Sequence, residues 1–103
     1  MKTSFQMNGS FPVDLFELTA DAADYLEGRG AIVSSSKHWG RVEYDVQFPG
    51  CKPNHNSGMG MTRVFFPDED SILLFSMVFG HLIQNCRVVA IQDMILKERI
   101  MKE

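Results

Sequence analysis

The longest apolar run of the chain covers residues 72–83, which carry no formal charge. A helical interpretation has Pro67 and the acidic residues 68–70 in its favour, because proline and carboxylates are both common in the first turn of a helix. A strand interpretation would make the run a central strand that is covered on both faces. We favour the helix, since a typical strand has only about five or six residues. In either form, the run needs apolar partners on more than one side.

An alternation of apolar and polar residues predicts a hairpin of two antiparallel strands. The strands are Ala31–Ser36 and Arg41–Phe48, and residues 37–40 between them are short enough for a turn. Alternate side chains of the second strand should face the core: Val42, Tyr44, Val46 and Phe48. We assign a further strand to Thr62–Phe66, which leads towards the apolar run.

Helical periodicity predicts an amphipathic helix over Asp14–Glu27. Asp14 and Glu17 have the spacing of a capping box, and glycines at positions 28 and 30 would end the helix. A later start at Thr19, with residues 13–18 extended, is the alternative. Weaker alternation also indicates a strand over Lys2–Met7.

The remaining segments are less regular. Residues 49–61 are rich in proline, glycine and asparagine and predict an irregular loop. β-branched residues indicate a buried strand over Cys86–Ile91. Residues 93–103 carry opposite charges four positions apart, as in a helix, but they could also continue that strand.

This order of elements predicts the fold class. We expect a single α+β domain over residues 1–103, with a mainly antiparallel sheet and two helices on one of its faces. The leading topology is a ferredoxin-like split βαβ arrangement with one extra strand.

Composition limits the classes of function. The net charge of −3 and the pI of about 5.5 argue against a protein that binds nucleic acid, which usually has a basic face. The apolar run is shorter than the roughly 20 residues of a membrane span, and residues 1–9 do not form a secretory signal. With two cysteines, we expect a soluble cytoplasmic protein with reduced thiols.

The loop carries Cys51 and His55, four positions apart. A thiolate and an imidazole are zinc ligands and can also form a nucleophile pair. The chain shows neither the paired spacing of a four-ligand zinc site nor a protease signature. We therefore expect no metal and no cofactor, and two free thiols of which the loop thiol reacts faster.

Three further positions could contact a ligand. Arg63 follows two glycines that could expose backbone N–H groups to an anion, His81 lies on the apolar run, and Trp39 lies on the hairpin turn. The acidic residues 68–70 are explained by the start of a helix. The candidate ligand-binding residues are Trp39, Cys51, His55, Arg63 and His81.

These patterns favour a binding or interaction domain over an enzyme. Because one thin sheet layer cannot cover both sides of residues 72–83, we expect a homo-oligomer, most simply a homodimer, with Phe75, Met77, Phe79 or nearby residues at or beside the contact. A small-molecule ligand is a further expected partner. The alternative is a small lyase, isomerase or hydrolase with a pocket beside residues 49–63, where His55 or His81 would lie beside a carboxylate of perturbed pKa.

Overall fold

The computed structural model describes residues 10–57 and 61–101. Within these ranges the chain forms three α-helices, six strands and one 3₁₀ turn, which confirms the α+β class. In chain order the elements are β1 Phe11–Leu15, α1 Ala20–Gly28, β2 Ile32–His38, β3 Arg41–Gln47, β4 His55–Asn56, β5 Thr62–Phe66, α2 Glu69–Phe79, the 3₁₀ turn Gly80–Leu82, β6 Ile83–Cys86 and α3 Val89–Met101. The strand predicted over Lys2–Met7 lies outside the described residues.

Four of the strands form one antiparallel sheet in the order β4-β5-β1-β6. If β4 is counted as the second strand, this is the order of the predicted split βαβ arrangement, with the first strand between the third and the fourth. β2 and β3 form a separate two-stranded sheet, which is inserted in the chain after α1 and before β4. The extra element is therefore a whole hairpin.

The sheet has one buried face and one open face. Alternate side chains of β1 and β5 are at most 5% exposed: Val13, Leu15, Thr62, Val64 and Phe66. The side chains between them are only partly buried: Pro12, Asp14, Arg63 and Phe65. Since successive side chains of a strand point to opposite faces, the second set defines the open face.

Helix α2 confirms the helical interpretation for residues 72–79 of the apolar run, whereas Gly80–Leu82 form the 3₁₀ turn and Ile83 begins β6. Asp68 caps α2, because the carboxylate accepts a hydrogen bond from the Ser71 backbone N–H at 2.8 Å. Ile72 and Phe75 are completely buried. The centres of the Phe75 ring and of the Phe66 ring of β5 are 5.5 Å apart, so the helix packs on the buried face of the sheet.

The long helix predicted over Asp14–Glu27 is wrong, and the later start at Thr19 is correct. The Thr19 hydroxyl accepts a hydrogen bond from the Ala22 backbone N–H at 3.2 Å, and α1 begins at residue 20. Residues 11–15 instead form β1, which is hydrogen-bonded to strands on both sides. The ladder with two neighbours outweighs the helical spacing of Leu15 and Leu18.

The strand predicted over Cys86–Ile91 is also wrong. β6 ends at Cys86, whose backbone N–H donates to the Gln92 side chain at 2.9 Å. Helix α3 then begins at Val89, which is exposed. Ile91 and Ile95, one helical turn apart, are both 4% exposed, so packing on one helix face overrides the β-propensity of this segment.

The predicted hairpin forms, but only its base is buried. Val46 is 1% exposed, whereas Val42, four residues closer to the turn on the same strand face, is 47% exposed. Trp39 and Gly40 form the turn with φ of 55° and 80°, the positive values of a type I′ turn. The inward orientation expected for this strand face therefore holds at Val46 and Phe48, and it is wrong for Val42.

None of the helices in the described part of the chain is long and apolar enough to cross a membrane.

The contrast between the two valines provides a matched test of the strand register. Val46→Asp places an unpaired charge in the core and should cost about 3 kcal/mol or more of unfolding free energy. Val42→Asp, on the same face but in water, should change it by less than about 1 kcal/mol. Urea denaturation followed by circular dichroism measures both values, and equal costs would contradict the register.

Candidate functional site

A row of polar side chains crosses the open face from one edge of the sheet to the other. In the strand register, Arg63 of β5 lies opposite His55 of β4 on one side and Asp14 of β1 on the other. Asp14 in turn lies opposite Asn85 of β6. The four neighbouring strands of the sheet thus each contribute one polar residue to this row.

The centre of the row is a two-point ion pair. The Arg63 Nε–H donates to Asp14 Oδ1 at 2.6 Å, and the Nη2 group donates to Oδ2 at 3.1 Å. These hydrogen bonds hold the pKa of Asp14 below its ordinary value, against the opposing effect of burial. A side-chain hydrogen bond from Asn85 and the charge of Arg87 act in the same direction as Arg63. Asp14 is therefore an ionised, hydrogen-bonded carboxylate at neutral pH.

A cavity of about 490 Å³ lies beside this row at the β4 edge. It is lined by Lys52, Pro53, Asn54, His55, Arg63 and Phe65. The Lys52 ammonium lies 5.8 Å from the centre of the Phe65 ring, within cation–π range. We call this space the Lys52–Phe65 cavity.

The loop that forms one wall of the cavity is fastened to β3 by Asn54. The Asn54 side-chain oxygen accepts from the Val46 N–H at 2.9 Å, and its amide group donates to the Tyr44 carbonyl at 3.2 Å. Its own backbone N–H donates to the Val46 carbonyl at 3.0 Å. Asn54 thus pairs with backbone groups of β3 as a neighbouring strand would. These hydrogen bonds hold Pro53 and His55, on either side of it, in position.

A second candidate surface lies on the outer side of α2. Four large apolar side chains are exposed there by 37% to 71%: Leu73, Leu74, Met77 and Val78. They form two pairs spaced four residues apart, so they lie together on two successive turns. We call them the α2 surface.

The structure places the predicted site residues in different regions. His55 and Arg63 come together at the Lys52–Phe65 cavity. Cys51 instead belongs to the core, with 7% of its surface exposed, while the His55 side chain is in solvent. The described residues contain no group of three or more histidine, cysteine, aspartate or glutamate side chains that could hold a metal ion.

Trp39 and His81 lie elsewhere. Trp39 is at the hairpin tip and is 99% exposed. His81 follows α2 and lines a cavity of about 290 Å³ between α2 and α3, together with Glu98 and Arg99. The glycines expected to bind an anion fall in residues 58–60, outside the described part of the chain.

Sequence reasoning missed several residues of the open face: Asp14, Lys52, Phe65 and Asn85. Asp14 was assigned to a helix cap, which hid its alternation with Val13 and Leu15. The signal that could have found it is opposite charge at the outward positions of two predicted strands, since such pairs stabilise neighbouring strands.

Comparisons of the chain with protein-family models, curated proteins and solved structures found no match.

The ion pair predicts a pH-dependent contribution to stability. Because the pKa of Asp14 is lowered in the folded state, its contribution should be complete above the unfolded pKa of about 4 and should disappear as the pH falls through the folded value. Asp14→Asn should therefore lower the unfolding free energy by about 1 kcal/mol at pH 6. The difference from the wild type should shrink below about pH 4.

Urea denaturation at pH 6, 4 and 3 measures this difference. Asp24→Asn is the control, since Asp24 is exposed on α1 and has no ion pair within the described residues. A cost for Asp14→Asn that stays constant over this pH range would show that the carboxylate charge is not involved.

The two thiols should both react slowly. Cys51 was expected to be the accessible one, but it is 7% exposed and Cys86 is 4% exposed. Burial also raises the pKa of each thiol, which lowers the fraction of reactive thiolate. A disulfide reagent should label both in the native protein at least about tenfold more slowly than in urea. Single Cys→Ala variants assign each rate, and labelling only after reduction would contradict the free thiols.

Proposed function

We propose that the chain is a non-catalytic interaction domain that self-associates through the α2 surface. The observation that carries this proposal is the exposure of four adjacent large apolar side chains on one helix. Complete burial of a fully exposed side chain of this kind contributes roughly 1.5–3 kcal/mol, and these four side chains still expose 37% to 71% of their surface. Burial of these side chains by a partner would therefore strongly favour association.

The geometry of α2 explains why the helix needs a partner. Ile72 and Phe75 already fill its inner side, and both are completely buried. The other side is just as apolar, but within the described residues it has only partial cover. A helix that is apolar nearly all round is typical of one that is buried on several sides.

A second copy of the chain is the partner that the charges favour. The N-terminal end of α2 carries Asp68, Glu69 and Asp70, whereas the far end is near His81, Glu98 and Arg99. In a two-fold pair with antiparallel α2 helices, the acidic end of each copy would lie near an end without net negative charge. A parallel pair would bring the two acidic ends together, which like charges oppose.

The expected contact residues change accordingly. Phe75 cannot be part of an interface, because its side chain is completely buried in its own domain. Phe79 is half-buried and contacts Tyr25, while Met77 is 71% exposed. The α2 surface alone is too small for a standard interface of roughly 800 Å² per subunit. The rest would come from α3, whose Glu98 and Arg99 line a cavity with Met77 and Val78.

The alternative of a small enzyme has the Lys52–Phe65 cavity and its His55 in its favour. Asp14 and His55 also line a common cavity of about 280 Å³. Both carboxylate oxygens of Asp14, however, accept hydrogen bonds from Arg63, and its pKa is lowered. A general acid or base at neutral pH needs a pKa near 7, so this arrangement favours binding over catalysis.

The two free cysteines support a cytoplasmic location as part of the same proposal, since reduced thiols persist in that compartment.

Light scattering at micromolar concentration tests self-association. The wild-type chain should have about twice the 11.7 kDa mass of a single chain. Val78→Lys adds a charge to the α2 surface and should shift the mass towards the monomer, because a buried unpaired charge is costly. Val42→Lys is the matched control: it changes the same residue type at similar exposure, 47% against 55%, on the hairpin.

The control should keep the dimer mass, and thermal melts should show that both variants are folded. A wild-type mass of one chain over a hundredfold range of dilution would overturn the proposal. Equal effects of the two substitutions would place the contact outside the α2 surface.

A further inference from the structure

We propose that the Lys52–Phe65 cavity binds a small organic anion, specifically a carboxylate attached to an apolar group. The cavity is on the open face of the sheet, in the opposite layer from α2. It is therefore a site distinct from the proposed contact between copies, and it goes beyond self-association.

An unpaired positive group, the Lys52 ammonium, lines the cavity. Lys52 has no carboxylate within ion-pair distance among the described residues, where the single ion pair is that between Arg63 and Asp14. Because Asp14 balances the charge of Arg63, Lys52 gives the cavity an excess of one positive charge, although the full chain has a net charge of −3. Such a region attracts an anionic ligand more than a neutral one.

Arg63 can offer directed donors to this ligand. The Asp14 carboxylate accepts hydrogen bonds from the Nε–H and one Nη2–H, which fixes the guanidinium plane. The Nη1 group forms no hydrogen bond with any described residue, and the side chain is 43% exposed. A guanidinium that is already oriented loses less freedom when its remaining N–H groups bind a carboxylate.

The apolar wall narrows the class of anion. Phe65 and Pro53 line the same cavity, and the Phe65 ring is partly exposed. An inorganic anion would leave this wall in water, whereas an aromatic or aliphatic carboxylate covers it. The volume of about 490 Å³ also lies within the usual range of roughly 300–1,000 Å³ for small-molecule sites.

The site is built before the ligand arrives. Asn54 ties the loop to β3 through both atoms of its amide group, and β4 fixes His55 opposite Arg63. Lys52 and Arg63 therefore come from a fastened loop and a strand, which reduces the cost of ordering them on binding.

Titration with benzoate, followed by amide chemical shifts in the NMR spectrum, tests the proposal. Saturable shifts should be confined to residues 52–55 and 63–65. Benzamide has the same ring without the charge, and inorganic phosphate has charge without the ring. Each should bind at least about tenfold more weakly than benzoate, since each lacks one of the two contacts.

Lys52→Met keeps the aliphatic chain over Phe65 and removes only the charge. It should weaken benzoate binding roughly fivefold. Lys97→Met, at an exposed lysine of α3, is the matched control and should leave binding unchanged. Thermal melts of both variants should match the wild type, because both side chains are exposed.

Four results would overturn the proposal. Benzamide binding as tightly as benzoate would remove the role of the charge, and phosphate binding as tightly would remove that of the apolar wall. Equal effects of Lys52→Met and Lys97→Met, or benzoate shifts outside residues 52–55 and 63–65, would place the anion elsewhere.

Discussion

The contact of the Phe75 ring with the buried face of the sheet is the interaction on which the rest of the structure depends. The ring lies 5.5 Å from Phe66 of β5, 6.0 Å from Tyr25 of α1 and 5.2 Å from Phe79 on the next turn of α2. One side chain thus joins the sheet to α1 and α2. Tilted and offset ring pairs of this kind each add about 0.5–1.5 kcal/mol beyond the area they bury.

This anchoring also determines which surfaces remain available. Once Phe75 and Ile72 face the sheet, the residues between them on α2 must face outward. Because α2 packs on the buried face of the sheet, the α2 surface and the open face lie on opposite sides of the domain. A dimer formed through α2 would therefore leave the Lys52–Phe65 cavity of each copy accessible to solvent. The proposed assembly and the proposed ligand binding would then not compete.

Local patterns in the sequence predicted those elements whose form is set by nearby residues. The acidic cap before α2 and the strict alternation of β3 needed no knowledge of distant contacts. The pattern was misleading where tertiary pairing decided the outcome. Residues 11–15 are a strand because two other strands pair with them. Residues 89–91 are helical because the helix buries Ile91 and Ile95 together in the core.

The site was harder to predict than the fold for the same reason. His55 and Arg63 were among the candidates, but their proximity is created by the register of β4 and β5. Cys51 looked accessible because it lies in an irregular loop, yet the loop turns its side chain into the core. Sequence distance gives no measure of side-chain direction where the backbone is irregular. The ion pair of Asp14 with Arg63 joins residues 49 positions apart and could not be found from spacing.

The position of Trp39 has a consequence for spectroscopy of this protein. It is the single tryptophan of the chain, and in the native state its indole is already surrounded by water. Its emission should therefore be that of a solvated indole before and after the core is lost, so tryptophan fluorescence will be nearly silent during global unfolding. The same isolation makes the indole a reporter of one event alone: a shift of its emission to shorter wavelength would mean that something has covered the tip of the hairpin.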